Sequence, residues 1–393
     1  MNLLVGSSSP PDKGSGINAY VRELCEALIE QGHRIHFCSP EPVDCSWLNQ
    51  YGIKHVKASQ FDEPLERTKQ LIAYVKDQHI NGVINNDNAL LQNIAPAISC
   101  PFISVGHMGR TSVASLACFQ HQWTDHVVTI SSDMQAVFVS KFDVPVIKCP
   151  IVYNGVVDPG EKESYLSENE QLNIVFAGGY SKNKGGTLIE QALSQYKDSW
   201  HDIKLDWFGD VPEKIKQKLR DYNFIEFHGR VGHEEFLKTL KNADVLLLPS
   251  KAEGCPMTML EAMSYGVVPL ASDGKGAMRW LITSGQHGFI CQLDDWEKQM
   301  MDCFAYFLGH SEGLSKMKQA SYQQFKHNFQ RETTAKHITD LLLRPTVKRD
   351  KLAEKLQVLR WHRPLRKDGK KAPLIDRFAI RIGWLRKAGV LEI

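Results

Sequence analysis

Residues 249–261 read P-S-K-A-E-G-C-P-M-T-M-L-E and place two carboxylates beside a helix start. The run D-V-L-L-L at 244–248 ahead of them has the character of a buried parallel strand. Ser250 and the pair Gly254 and Pro256 signal a turn, and 258–265 reads as a helix. Glu253 then falls in the loop and Glu261 about one turn into the helix, with seven residues between them. Free N–H groups and the positive dipole end at a helix start suit an anion. Two acids do not, but they accept hydrogen bonds from sugar hydroxyls. A ligand with both parts, such as a nucleotide sugar, answers the whole stretch.

Three further stretches carry chemistry of the same kind. The loop G-G-Y-S-K-N-K-G-G at 178–186 sets Lys182 and Lys184 ahead of a helix, where charge and dipole act together on an anion. Gly14, Ser15 and Gly16 open the first helix, where missing side chains let backbone N–H groups approach a pyrophosphate. Their spacing is not G-x-G-x-x-G, which argues against a dinucleotide cofactor. His107 follows a strand at 102–105, at the strand end where doubly wound sheets meet ligands. From position alone a single histidine there is structural. Lysines and helix dipoles would neutralise such an anion without a metal, and neither a D-x-D motif nor a His/Cys cluster with metal spacing contradicts this.

P-S-x-x-E-G-x-P-x-x-x-L-E-A-M-x-x-G-V-P resembles the signature of retaining glycosyltransferases of family 4, with the two-domain GT-B fold. The resemblance covers about 1–343, including V-Y-N-G-V-V-D at 152–158, similar to an interdomain N-G-V-D with one extra valine. It implies an α/β fold of two Rossmann-like, doubly wound domains facing a central cleft. It also implies a sugar moved from a nucleoside diphosphate, by default UDP, to an acceptor hydroxyl without metal or other cofactor. The residues it points to are Glu253 for the donor sugar's hydroxyls, Glu261 for the ribose, Lys184 for the diphosphate, and His107 beside the sugar, partly through its carbonyl. Gly16 takes the place of the family's glycine loop. Gly254, Cys255, Pro256 and Met257 line the donor at the helix start, and Arg230 and Val231 lie against the base. Relatives usually carry G-R-x-x-x-x-K-G in the second domain; here Gly179 stands in the arginine's place, leaving Lys182 as a point charge without bidentate geometry.

The elements that would hold these residues alternate as strand and helix. A strand at 2–5, an apolar helix face (Ile17, Tyr20, Val21, Leu24, Leu28) and a strand at 34–38 make a Rossmann-type opening. Strands at 82–85, 102–105 and 127–130 continue it, with Ser131 and Ser132 as helix caps. The polar stretch 159–171 reads as a linker. Strands at 172–177, 203–208, 224–227, 244–248 and 267–271 repeat the pattern, and 312–343 reads as two helices. The expected domains are 1–160 (acceptor side), 171–343 (nucleotide sugar) and a basic helical tail, 345–393.

The 393 residues, 42% apolar and 23% charged, suit a soluble globular protein of two domains. Nine scattered cysteines without a C-x-x-C pair suggest reduced thiols and a cytosolic compartment. The N-terminus turns polar too soon for a signal peptide, and no run reaches membrane-spanning length. Residues 345–393 hold fourteen Lys+Arg against five Asp+Glu, a charge of +9, which leaves −7 on 1–344. In the tail Leu374, Ile375, Phe378, Ile382 and Leu385 recur at helical spacing among arginines. A basic amphipathic helix at an anionic membrane surface, the inner face of the cytoplasmic membrane, fits this; so does a helix packed on the body. Nucleic acid is not expected, because the body is acidic. The acceptor expected is a glycan or a lipid-linked molecule such as lipopolysaccharide core. Two other readings share the fold: an epimerase or hydrolase of nucleotide sugars, and a catalytically silent nucleotide-sugar-binding scaffold.

Overall fold

The computed structural model describes residues 1–11, 15–40, 43–57, 64–109, 111–166 and 171–347. The amphipathic helix expected in the tail lies outside them, as does Gly14. The chain forms two compact units, one comprising Met1–Asn154 and the chain from Arg331, the other Gly155–Gln330.

In the first unit β1 (Asn2–Ser7), β2 (Arg34–Ser39), β3 (Lys54–Lys57), β4 (Gly82–Asn86), β5 (Phe102–Val105) and β6 (His126–Val128) form one sheet. Its order is β3-β2-β1-β4-β5-β6, with every pair parallel. Leu3, Leu4, Val5, Val83, Ile84 and Phe102 are fully buried, as expected of strands covered by helices on both faces. The helix Gly16–Glu30 follows β1 and buries Tyr20, Val21, Leu24 and Leu28. Ser131 caps the helix Ser132–Phe142, its hydroxyl accepting from Met134 N–H.

The chain returns to this unit at Arg331, so residues 331–343 group with the first unit and not, as expected from the sequence, with the second domain. The reason is a charge cluster. Arg331, with only 9% of its side chain exposed, donates to Glu23, Glu26 and Glu30 on the helix Gly16–Glu30 at 3.1, 2.9 and 2.6 Å. One buried guanidinium holding three carboxylates fixes the helix Arg331–Leu342 in place. Beyond it Thr346 and Val347 both donate their N–H to Asp125 Oδ1 at 2.9 Å, ahead of β6.

The second unit repeats the design with β7 (Leu172–Phe176), β8 (Ile203–Phe208), β9 (Ile225–Gly229), β10 (Val245–Leu248), β12 (Val268–Ser272) and β14 (Phe289–Cys291). The order is β14-β12-β10-β7-β8-β9, again wholly parallel. Trp207, Trp296 and Phe304 fill its core. A buried pair, Lys318 Nζ to Asp244 Oδ1 at 2.7 Å, ties the helix Ser311–Asn328 to the residue ahead of β10.

The stretch expected as a linker is strapped to this unit. Asp158 accepts from Tyr322 Oη at 3.1 Å and Gln330 Nε2 at 2.8 Å, Lys162 Nζ donates to Lys241 O at 2.7 Å, and Tyr165 is buried. The polar composition of 158–165 hid these anchors. The handover between units falls earlier, at Asn154 and Gly155.

Candidate functional site

In the second unit, the loop after β10 is pinned from two sides. A short parallel bridge joins β11 (Ala252–Glu253) to β13 (Lys275–Gly276), pairing Glu253 with Gly276. Gly276 has φ +115°, and a Cβ there would lie 1.5 Å from the Glu253 carbonyl oxygen. Only glycine lets the two chains approach this closely. Ser272 Oγ donates to Ser250 O at 2.5 Å and Ala277 N–H to Gly254 O at 3.0 Å. On the other side Lys251 N–H donates to Asn183 O at 2.9 Å, joining this loop to the one at 178–186.

That junction decides the position of the two residues singled out first. Lys184 Nζ lies 2.6 Å from Glu253 Oε1, with Glu253 only 10% exposed and Lys184 48%. A cation suited to a diphosphate and an acid suited to sugar hydroxyls therefore meet, although 69 residues separate them.

Glu261 is buried in the helix Met257–Ser264, about one turn from its start as expected. Its Oε1 lies 2.8 Å from His233 Nε2, at the start of the helix His233–Asn242. Sequence reasoning missed His233, because nothing in the spacing of two residues 28 apart announces the pair. Pro256 precedes the helix Met257–Ser264 and offers no side-chain cap to its N–H groups. Cys255, Pro256 and Met257 are buried and Gly254 half-buried.

Gly179 explains the arginine's absence. Its φ is +56°, and a Cβ would meet the Asp210 backbone oxygen and nitrogen at 3.0 and 3.1 Å. Any side chain there is strained. Lys182 is exposed on the same loop. Arg230 is 79% exposed and donates to Asp210 Oδ2 at 2.6 Å, while Val231 is half-buried. Among the described residues one group of side chains has metal-ligating atoms close together: Asp206, Glu226 and His228. Lys204 Nζ stands 3.2 Å from Asp206 and 3.1 Å from Glu226, so those acids already have a cation.

In the first unit, Gly16 is the first residue of its helix, and Ser15 caps it by accepting from Asn18 N–H at 3.2 Å. Gly16 is exposed, and a Cβ there meets nothing within 4 Å. His107 is buried, edge-on to Tyr20, with Nε2 3.0 Å from Asn86 Oδ1. Asn86 gives its amide N–H to Gly6 O at 3.1 Å, so Oδ1 is the atom left for His107 and Nε2 carries the proton. Burial lowers the His107 pKa to about 3, keeping the ring neutral.

Sequence reasoning also missed Asp87, directly after β4, where the strand order reverses between β1 and β4. Its φ is +57°, both carboxylate oxygens are buried without a hydrogen-bond partner, and burial raises its pKa to about 7. The run N-N-D-N at 85–88 reads as an ordinary polar turn and gives no hint of this.

Comparison with known proteins completes the picture. Residues 14–158 match the family model described as Glycosyltransferase Family 4, and residues 171–310 the one described as Glycosyl transferases group 1. The chain is 22% identical over 311 residues to an uncharacterized glycosyltransferase of Methanocaldococcus jannaschii, across 68% of this chain and 79% of the relative. It is 25% identical over 209 residues to the lipopolysaccharide 1,6-galactosyltransferase of Escherichia coli, across 51% and 55%. The crystal structure of Anabaena HepE in complex with UDP shares the fold with a TM-score of 0.71 at 15% identity, covering 88% of this chain and 100% of that one.

Proposed function

The chain belongs to family 4 of the GT-B glycosyltransferases, and we propose that it moves a hexose from a uridine diphosphate sugar to a cell-envelope glycan or lipid-linked acceptor, keeping the anomeric configuration. The observation that carries this reading is the 2.6 Å meeting of Lys184 and Glu253 on two interlocked loops. The UDP bound by Anabaena HepE and the lipopolysaccharide activity named for the Escherichia coli relative support the donor and acceptor classes.

As the glycosidic bond breaks, negative charge develops on the departing diphosphate. Lys184, with Lys182 as a second point charge, stabilises it, together with the uncapped N–H groups of the helix Met257–Ser264. Glu253 accepts hydrogen bonds from the donor sugar's hydroxyls and orients the ring rather than attacking it. Glu261, steadied by His233, takes the ribose hydroxyls. The base rests against the backbone at Arg230 and Val231. In the first unit, the family resemblance gives the Gly16 N–H a phosphate to bind and the neutral His107 ring, with its carbonyl, a sugar. A departing phosphate oxygen takes the acceptor's proton, so no side chain has to serve as base. With lysines and helix dipoles on the diphosphate, the reaction needs no metal. No helix among the described residues is long and apolar enough to cross a membrane. We place the enzyme in the cytosol, its basic tail on the inner face of the cytoplasmic membrane. Loss of anionic-liposome binding on deletion of 348–393 is the expected result; unchanged binding refutes that placement.

The function is tested by following nucleotide release from UDP-glucose, UDP-galactose and GDP-mannose, with and without lipopolysaccharide core oligosaccharide. Faster release with the acceptor from a UDP-sugar, and sugar incorporated into the oligosaccharide, is the expected outcome. Equal release with and without acceptor, with no product formed, points to a hydrolase instead.

A further inference from the structure

We propose that the Lys184–Glu253 ion pair makes the site discriminate between a nucleoside diphosphate sugar and the nucleoside diphosphate left after transfer, and so favours release of the product. This rests on the donor reading above and extends it to the far side of the reaction.

The two side chains satisfy each other at 2.6 Å, and their loops cannot drift apart. One is locked by the bridge from Glu253 to Gly276, the other by the bond from Lys251 N–H to Asn183 O. A diphosphate that draws Lys184 Nζ away from Glu253 opens this pair. Glu253 is then left nine-tenths covered, without a cation, beside incoming phosphate charge. An acid in that position is costly unless new donors reach it. A sugar on the diphosphate brings hydroxyl donors to Glu253 and restores its hydrogen bonding. A bare diphosphate brings none. The cost of the stranded acid therefore falls on the product and not on the donor.

The same geometry makes an uncommon demand of a mutant. Removing the charge of Glu253 has to impair turnover, because the sugar loses its orienting acid, and yet tighten the hold on bare UDP, because Lys184 becomes free. A group that merely supports the loop would weaken both ligands together.

The experiment is isothermal titration of the full chain with UDP and with UDP-glucose, comparing wild type with Glu253→Gln and Glu253→Ala, melting curves confirming the fold of each. Gln keeps the shape of the side chain, and Ala guards against a new hydrogen bond from the amide. UDP is expected to bind both variants about 5-fold more tightly, and UDP-glucose no more tightly than before. The preference for UDP-glucose over UDP then shrinks by at least that factor, which corresponds to about 1 kcal/mol. An unchanged UDP-glucose to UDP ratio in both variants overturns the proposal and leaves the donor reading standing. Failure of wild type to bind either ligand overturns the UDP reading, and this proposal with it.

Discussion

At the carboxyl ends of the second sheet, acids and bases lie in partly open pairs: Lys184 with Glu253, His233 with Glu261, and Arg230 with Asp210. Around the carboxyl end of β4 in the first sheet, the polar groups are buried and, Asp87 apart, uncharged. Asn85 Nδ2 and Ser104 Oγ both donate to Gln92 Oε1, Asn86 bonds His107, and burial drives both His107 and Asp87 toward their neutral forms. The scaffold is the same six parallel strands each time. The difference lies in the strand ends and the segments that follow them, and it teaches that one framework can be finished for two tasks. A charged, exchangeable surface suits a diphosphate, whose own charge replaces a partner. Buried, directional polar groups suit hydroxyls, which need fixed direction more than charge.

Breaking the charged side has the largest expected effect. Lys184→Ala and Glu253→Ala are each expected to lower turnover by about 10²-fold or more, the scale of losing a preorganised contact at the reacting centre. Near-wild-type rates in either variant would remove that residue from the mechanism.

The neutral side is tested through stability. Asp87 has its folded-state pKa raised from 3.8 to about 7, so the unfolded chain binds fewer protons than the folded one between those values. Wild-type stability must then fall as pH rises from about 4 to about 7 and level off above. Asp87→Asn, which tolerates the same left-handed backbone, is expected to remove this fall and to be more stable at neutral pH by a few kcal/mol, roughly the linkage of such a shift. Melting curves across that range measure it; a variant less stable than wild type at pH 7 shows that Asp87 has a structural partner.

Smaller effects sharpen the contrast. His233→Ala is expected to reduce the preference for UDP over 2′-deoxy-UDP by about 3-fold to 10-fold, since Glu261 loses the group that aims it. Equal weakening of both nucleotides would make His233 structural only. Arg230→Ala is expected to change the Michaelis constant for the donor less than 2-fold, because its pair with Asp210 is exposed to solvent. A larger change would mean that its side chain, and not only its backbone, meets the base.

How far the sequence foretold all this depends on the kind of interaction. Strands such as β10 were legible because burial on both faces leaves an unbroken apolar run. The edge strand β3, K-H-V-K, was not, because its residues are at most half-buried and carry no apolar pattern. Glu253, Glu261 and Lys184 announced themselves through their loops and helix starts, yet the pairings they make did not. His233 and the cluster around Arg331 join residues distant in the chain, and single side chains without periodicity leave no trace. Asp87 was invisible for a related reason: its environment, not its type, sets it apart.

The Arg331 cluster has a practical consequence. A fragment ending near residue 160 would keep Glu23, Glu26 and Glu30 side by side on one helix while discarding the cation that reconciles them. Dissecting this enzyme into halves therefore cannot follow the order of the chain; the N-terminal lobe has to be made with its C-terminal strap grafted back on.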